Sequence, residues 1–363
     1  MPELLLELFS EEIPARMQAR AAEDLARLVS DALAPIAPEE VRTYSGPRRI
    51  ALTAQLAAEV PAARVSERGP RVSAPEEALA GFLRKHRAAR EQLVPAGNYW
   101  VLERETPPQD AASLIAAAIP PLLWRFPWPK SMRWGEGSVF TWVRPLRRIL
   151  CLLGGEVVPF TLRQGEDDAH GLRAGNVTEG HRFHAPGAFV VQSAIQWRER
   201  LRERKVIADA AERRHLIETG LAREVAARGL SAVEDAGLLD EVAGLAEWPV
   251  VLAGEVDAEF MDLPSEVLQV SMRVNQKYFA LRRADGAAER FFAFVANLEA
   301  VDGGNAIIAG NERVLRARFA DARHFWDLDR RQTLESRVAL LDGVTFHARL
   351  GSQGDRVRRL RQQ

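Results

Sequence analysis

The sequence predicts a multi-domain α+β protein, with mixed sheets first and an all-helical segment last. Two hairpin signals and one change of period carry that reading. Apolar runs at 147–153 and 156–162 flank Gly154-Gly155, a two-residue loop suited to a tight β-turn. A second pair of runs, 274–281 and 290–296, brackets Asp285-Gly286. From Gly310 onward, strand-like alternation gives way to a 3.6-residue period. At 363 residues the chain is long enough for two or three domains with cores of their own.

Taken in order, residues 4–9 read as a short apolar strand. Ser10 is placed to cap the helix that follows, with Glu11 and Glu12 at the positive end of its dipole. Residues 15–33 carry a helical pattern until Pro35 and Pro38 stop it. Residues 49–56 alternate, with Ile50, Leu52 and Leu56 on one side, as a strand does. Helix is expected at 74–89, strand at 99–104, and helix again at 111–124, ending at Phe126-Pro127-Trp128-Pro129. A polar, glycine-containing stretch at 164–187 bears His170, His181 and His184 and suggests a domain boundary near its start. Helices at 193–204 and 208–228, then one ending before Pro249, precede an apolar strand at 250–253. These segments give expected domains at 1–164, 165–305 and 306–363.

Composition narrows the function. The formal net charge of −1 excludes bulk electrostatic affinity for nucleic acid, so any such surface needs local segregation of charge. The cations are 45 Arg and only 4 Lys, which singles out Lys130 and Lys277, the two lysines inside distinctive motifs. The single cysteine, Cys151, excludes an internal disulfide and reads as a small core residue. No apolar run approaches 18 residues and no basic-then-apolar leader opens the chain, so a cytosolic protein is expected.

No self-sufficient catalytic set emerges. The phosphate-binding Gly-x-x-x-x-Gly-Lys-[Ser/Thr] loop, the Gly-x-Ser-x-Gly nucleophile turn and His-Glu-x-x-His are all absent. His181 and His184, with His170 as the only other nearby imidazole, make a poor zinc set, and no metal is expected. The glycine-bracketed loop either presents His181, Arg182 and His184 to a partner or folds them against the sheet. Around PKSMRWG, Lys130, Arg133 and Trp134, followed by Arg144, Arg147 and Arg148, interleave with Trp124, Trp128 and Trp142. That mixture suits RNA, or equally a tryptophan-rich core edge with cations reaching to solvent. Strand alternation puts Asn275 and Lys277 on one face, opposite Gln276 and Tyr278. In residues 310–330, Leu315, Phe319, Ala322 and Trp326 form one apolar stripe. Arg316, Arg323 and Arg330 repeat every seven residues on another face, with Arg313 one turn before them. This arginine rail fits a phosphate backbone or an acidic partner; the alternative is a solvated face of internal ion pairs.

Four of these segments, LLLELFSEEIP (4–14), PKSMRWG (129–135), GNVTEGHRFHAPG (175–187) and VNQKYFALR (274–282), together with GNERVLRARFADARHFWDLDR (310–330), resemble in order the N-terminal half of the bacterial glycyl-tRNA synthetase beta subunit family. The resemblance runs from residue 3 to the last residue. It implies a middle region similar to the B3/B4 domain of phenylalanyl-tRNA synthetase and the start of an HD-type helical domain. In the family these are followed by an anticodon-binding domain, whereas this chain stops at Arg361-Gln362-Gln363 without a C-cap and is expected to be partial. The implied role is tRNA binding and assembly in a tetramer of two alpha and two beta chains. A separate alpha subunit would use ATP and Mg to attach glycine to tRNA(Gly), this chain binding no cofactor. The family pattern is compressed between Gly69 and Phe82. The competing readings are a stand-alone hydrolase or trans-editing protein using His181 and His184, and a protein-interaction scaffold.

Overall fold

In a computed structural model, which describes residues 1–362, the chain divides between Glu212 and Arg213 into two compact units. In the first, β1 (Glu3–Ser10) is followed by α1 (Ala15–Ala32), β2 (Glu39–Gly46) and β3 (Arg49–Gln55). After an excursion come α3 (Ala111–Trp124), β9 (Leu146–Leu153), β10 (Glu156–Val157) and β11 (Ala174–Gly175). The unit closes with β12 (Val177–Glu179), β13 (Ala188–Val190) and α4 (Ala194–Glu203). The main sheet has the order β10-β9-β1-β3-β2, antiparallel throughout, with β11 adding a parallel edge to β9. The Gly154-Gly155 turn joins β9 to β10 as expected, with both glycines at positive φ.

Alternation along β1 decides what covers each face of this sheet. Leu4, Leu6 and Leu8 join Ile50 and Leu52 beneath α1 and α3, where Leu25, Ile115 and Ile119 are buried. Leu5 with Leu150 and Leu152 faces α4, which contributes Trp197 and Leu201. Burial of Cys151 pushes its thiol up to about 12, in keeping with a core residue. The boundary expected near residue 164 falls inside this unit, since β11 pairs with β9.

The excursion between β3 and α3 is a small module. β4 (Glu59–Val60) pairs with β8 (Gln109–Asp110) at its root. Between them, β5 (Ala63–Arg71), α2 (Glu76–His86), β6 (Leu93–Ala96) and β7 (Tyr99–Thr106) form a three-stranded sheet in the order β5-β7-β6. Leu79, Leu93 and Leu102 make its core, with Phe82 and Trp100 packed against them.

The second unit holds most of α5 (Ala210–Ala226), then β14 (Ser231–Ala232), α6 (Ala236–Ala243), β15 (Val250–Glu255) and α7 (Ser265–Val270). β16 (Phe279–Arg282), β17 (Ala288–Ala296) and α8 (Asn305–Arg330) follow. Its sheet runs β14-β16-β17-β15. One face carries Phe279, Leu281 and Ala293 against α5 and α6. The other carries Phe292 and Phe294, which pack with Phe260, Leu315 and Phe319.

Three expectations change here. Residues 271–276 form a π-helical turn and Lys277 is left-handed at φ 60°, so the strand starts at Phe279 and the face assignment of Asn275 and Lys277 fails. The segment beyond α8 is not wholly helical: after α9 (Leu334–Arg337), β18 (Thr345–His347) pairs with β19 (Gly351–Ser352) ahead of α10 (Gln353–Arg361). Ser10 lies inside β1, and α1 starts after Pro14 with no side-chain cap. The apolar stripe of α8 is buried at Leu315 and Phe319, but Trp326 keeps 36% of its surface exposed. Phe319→Ala should therefore destabilise the second unit by roughly 3–5 kcal/mol, and Trp326→Ala clearly less, as read from urea melting curves of the two variants.

Candidate functional site

The first unit concentrates its polar chemistry where β1 ends. On the face of the sheet opposite α1, Glu7 and Arg49 are diagonal neighbours across β1 and β3, and both are buried. Arg49 Nη1 donates to Glu7 Oε1 at 2.7 Å and to Thr178 Oγ1 at 3.2 Å, while Nη2 donates to the Glu179 carbonyl at 2.9 Å. Arg48 donates to the Gly180 carbonyl at 2.6 Å, and both guanidinium groups sit about 5 Å from the Phe9 ring centroid (4.9 and 5.1 Å). The loop after β12 is thus tied to the sheet by two consecutive arginines.

Above this anchor lies a cleft of about 360 Å³, whose lining includes Glu11, Arg48, Arg147, Glu179 and Arg182. Glu11 takes Arg147 on Oε1 at 2.8 Å and Arg182 on Oε2 at 2.9 Å. Arg182 also reaches Glu12 at 2.9 Å, and Arg148 pairs with Glu179 at 2.9 Å. Glu11 and Glu12 serve these arginines rather than a helix dipole. Of the predicted candidates, the structure brings Arg147, Arg148, His181 and Arg182 to this region. His181 is fully buried, and its Nδ1 accepts from the Phe183 and His184 backbone N–H groups at 3.3 and 3.2 Å. That imidazole shapes the turn, while Phe183 beside it is 70% exposed.

The tryptophan stretch resolves toward the core. Trp142 is fully buried and packs at 4.9–5.1 Å from Phe126 and Trp128, and Trp124 meets Phe140 at 5.0 Å. Trp134 is half-buried, with its ring 5.2 Å from that of His170. Lys130 and Arg133 stand exposed on the same loop with no acidic partner among the described residues, and Arg144 donates to the Val143 carbonyl.

In the second unit the arginine rail is divided. Arg316 forms a two-pronged pair with Asp257, and Arg323 pairs with Asp262. These two hold α8 to the 257–262 segment, the internal ion pairing that the sequence left open beside a partner-facing rail. Arg313 and Arg330 are exposed and have no acidic partner among the described residues. Asn275 is exposed, and Lys277 Nζ lies 3.1 Å from Glu241. Sequence reasoning missed Glu7, Arg48, Arg49 and Thr178. The available signal was a lone carboxylate inside an otherwise apolar strand. It also missed the excursion's Tyr99, over which Arg68 stacks at 3.5 Å.

The structure defines a multi-unit α+β protein in which arginines, held by carboxylates, surround a tethered loop. The sequence profile of the glycyl-tRNA synthetase beta subunit matches residues 4–363. Over 368 residues the chain is 49% identical to the glycine–tRNA ligase beta subunit of Phenylobacterium zucineum (strain HLK1), covering 99% of this chain and 53% of that protein. The beta subunits of Dinoroseobacter shibae (48% identity, 99% and 51% covered) and Cereibacter sphaeroides (47%, 99% and 53%) are similar. The chain belongs to the glycyl-tRNA synthetase beta subunit family, and it spans about half the length of these relatives. Among the described residues, no helix is long and apolar enough to cross a membrane.

The hydrogen bonds from Arg316 hold the Asp257 carboxyl below its usual range. A lowered acid pKa contributes stability in full above the unfolded value and loses it as pH falls through the folded one. The melting difference between the native chain and Asp257→Asn should therefore shrink as pH drops below about 3.9. A difference that stays constant under further acidification contradicts the pairing.

Proposed function

We propose that this chain is a tRNA-binding and assembly part of a heterotetrameric glycine–tRNA ligase acting in the cytoplasm. In this reading it supports ATP-dependent attachment of glycine to tRNA(Gly) by a separate alpha subunit, in an assembly of two alpha and two beta chains. The observation that carries the proposal is the match to beta subunits along 99% of the chain. The alpha subunit supplies ATP and Mg chemistry, and this chain contributes positioning.

Electrostatics supports a division of labour among the candidate residues. Lys130, Arg133, Arg313 and Arg330 are exposed without carboxylate partners among the described residues, so a phosphate meets them at little desolvation cost. Arg147, Arg148 and Arg182 are already neutralised by Glu11 and Glu179, and a polyanion must displace those carboxylates. The hydrolase alternative loses support, because His181 is buried and its Nδ1 serves the loop backbone.

Co-purification with a glycine–tRNA ligase alpha subunit, followed by glycylation of tRNA(Gly), tests the proposal. The isolated chain should show no glycine-dependent pyrophosphate exchange. Within the assembled enzyme, Lys130→Glu with Arg133→Glu should weaken tRNA binding and lower the slope of log K against log salt by about 1 for each phosphate that is no longer neutralised. An unchanged slope removes this loop from the interface.

A further inference from the structure

Two segments singled out in the sequence, residues 274–282 and the helix carrying GNERV, meet at a cavity of about 230 Å³ in the second unit. Tyr278 donates to Asn311 Oδ1, and Asn311 Nδ2 donates to the Ile307 carbonyl at 2.7 Å, which fixes one wall. Asn297 accepts from the Glu247 and Trp248 backbone N–H groups at 2.7 and 3.0 Å through Oδ1. Both hydrogen bonds use Oδ1 and leave the Nδ2 donors uncommitted among the described residues. The Gln276 side-chain amide also lines the space, with no hydrogen-bond partner among the described residues. Lys277 stands at the rim in a left-handed conformation directly after the π-helical turn. Both features cost stability in a lysine-bearing turn and recur where a ligand is held.

The lining discriminates between ligand classes. It includes no Asp or Glu, so the ammonium of a free amino acid finds no counter-charge there. The Gln276 carboxamide presents a donor beside an acceptor, the pattern that matches the N6/N7 edge of adenine, and Asn297, its Oδ1 already taken, adds an Nδ2 donor. Phe294, Tyr278 and Val242 supply apolar walls for the faces of a base. One ammonium matches one phosphate as a point charge. The space is smaller than pockets for drug-sized ligands, which run to roughly 300–1,000 Å³, and so fits a single base.

We propose that this cavity takes one adenine nucleotide, with the base against Gln276 and Asn297 and its phosphate on Lys277. The nucleotide is either free or an unpaired adenosine of an RNA. Lys277 must exchange Glu241 for the phosphate, a small cost for a pair in which both side chains are about one-third exposed (33% and 39%). The proposal goes beyond the tRNA reading, because free AMP is a sufficient probe.

Titration of the intact chain with AMP, adenosine and UMP, followed by calorimetry or NMR, tests it. AMP should bind more tightly than either of the others. Gln276→Leu, which keeps the volume and removes the amide, should weaken AMP at least about fivefold. Lys277→Met should weaken AMP to the level of adenosine while leaving adenosine unchanged. Leu245→Trp, at a half-exposed position on the lining, should block both without touching a polar group. An RNA hairpin with an unpaired 3′ adenosine competes with AMP if the source is RNA; a blunt hairpin does not. Failure of RNA to compete assigns the site to free nucleotide. Absence of AMP binding up to concentrations above about 1 mM, or binding indifferent to all three variants, overturns the proposal. Glycylation by the assembled enzyme is read separately, so loss of the nucleotide site and loss of the tRNA role are distinguishable.

Discussion

The first unit depends on a buried ion pair. Glu7 and Arg49 are 0% and 2% exposed, and two charges taken out of water are costly unless their remaining polar atoms are satisfied. Arg49 meets that condition in part, with Nη1 donating also to Thr178 and Nη2 to the Glu179 carbonyl, while Glu7 Oε2 is buried with no hydrogen-bond partner among the described residues. The pair therefore does more than join β1 to β3: it specifies which loop lies on this face of the sheet. Replacement by apolar residues could fill the space, but nothing apolar would select the 178–180 backbone. Arg48 to the Gly180 carbonyl and the His181 N–H to the Arg204 carbonyl (3.0 Å) extend the same anchor along the loop. The cleft above, with its arginines held on Glu11, follows from where this loop is fixed.

The second unit is held differently. Its four-stranded sheet is apolar on both faces, and helices cover each of them. Ion pairs serve at the margin, where Arg316 and Arg323 clasp the 257–262 segment from α8. Arginines that share one helical face in sequence are thus divided in space: the middle two fasten the helix, and Arg313 and Arg330 remain for solvent or a partner. The same unit holds its least conventional backbone, the π-helical turn and left-handed Lys277, beside the cavity proposed for a nucleotide.

Much of the architecture was legible because its cause is local. The Gly154-Gly155 turn, helix 111–124 and the strand near 250 follow from turn chemistry and periodicity alone. The sequence could not reveal that Glu7 meets Arg49, because the two are 42 positions apart and paired only by register. It misjudged 274–278 because a π-helical turn runs through 271–276, with Met272 and Tyr278 packed into the core of the second unit. The arginine rail was visible as a pattern, yet the acids that neutralise two of its members come from a segment some 60 residues earlier (59 and 61 apart). The tryptophan cluster offered two readings, and the structure buries Trp142 in the core while Lys130 and Arg133 stand exposed beside it.

A double-mutant cycle on Glu7 and Arg49, read by both stability and amide hydrogen exchange, tests the central claim most directly. Each single replacement by Leu should cost about 3–5 kcal/mol, because it strands one buried charge, and the double replacement should recover much of that. The amides of residues 178–184 should nevertheless stay unprotected in the double variant, since the groups that select this loop are gone. Additive, small costs with undiminished protection of the loop would contradict the account.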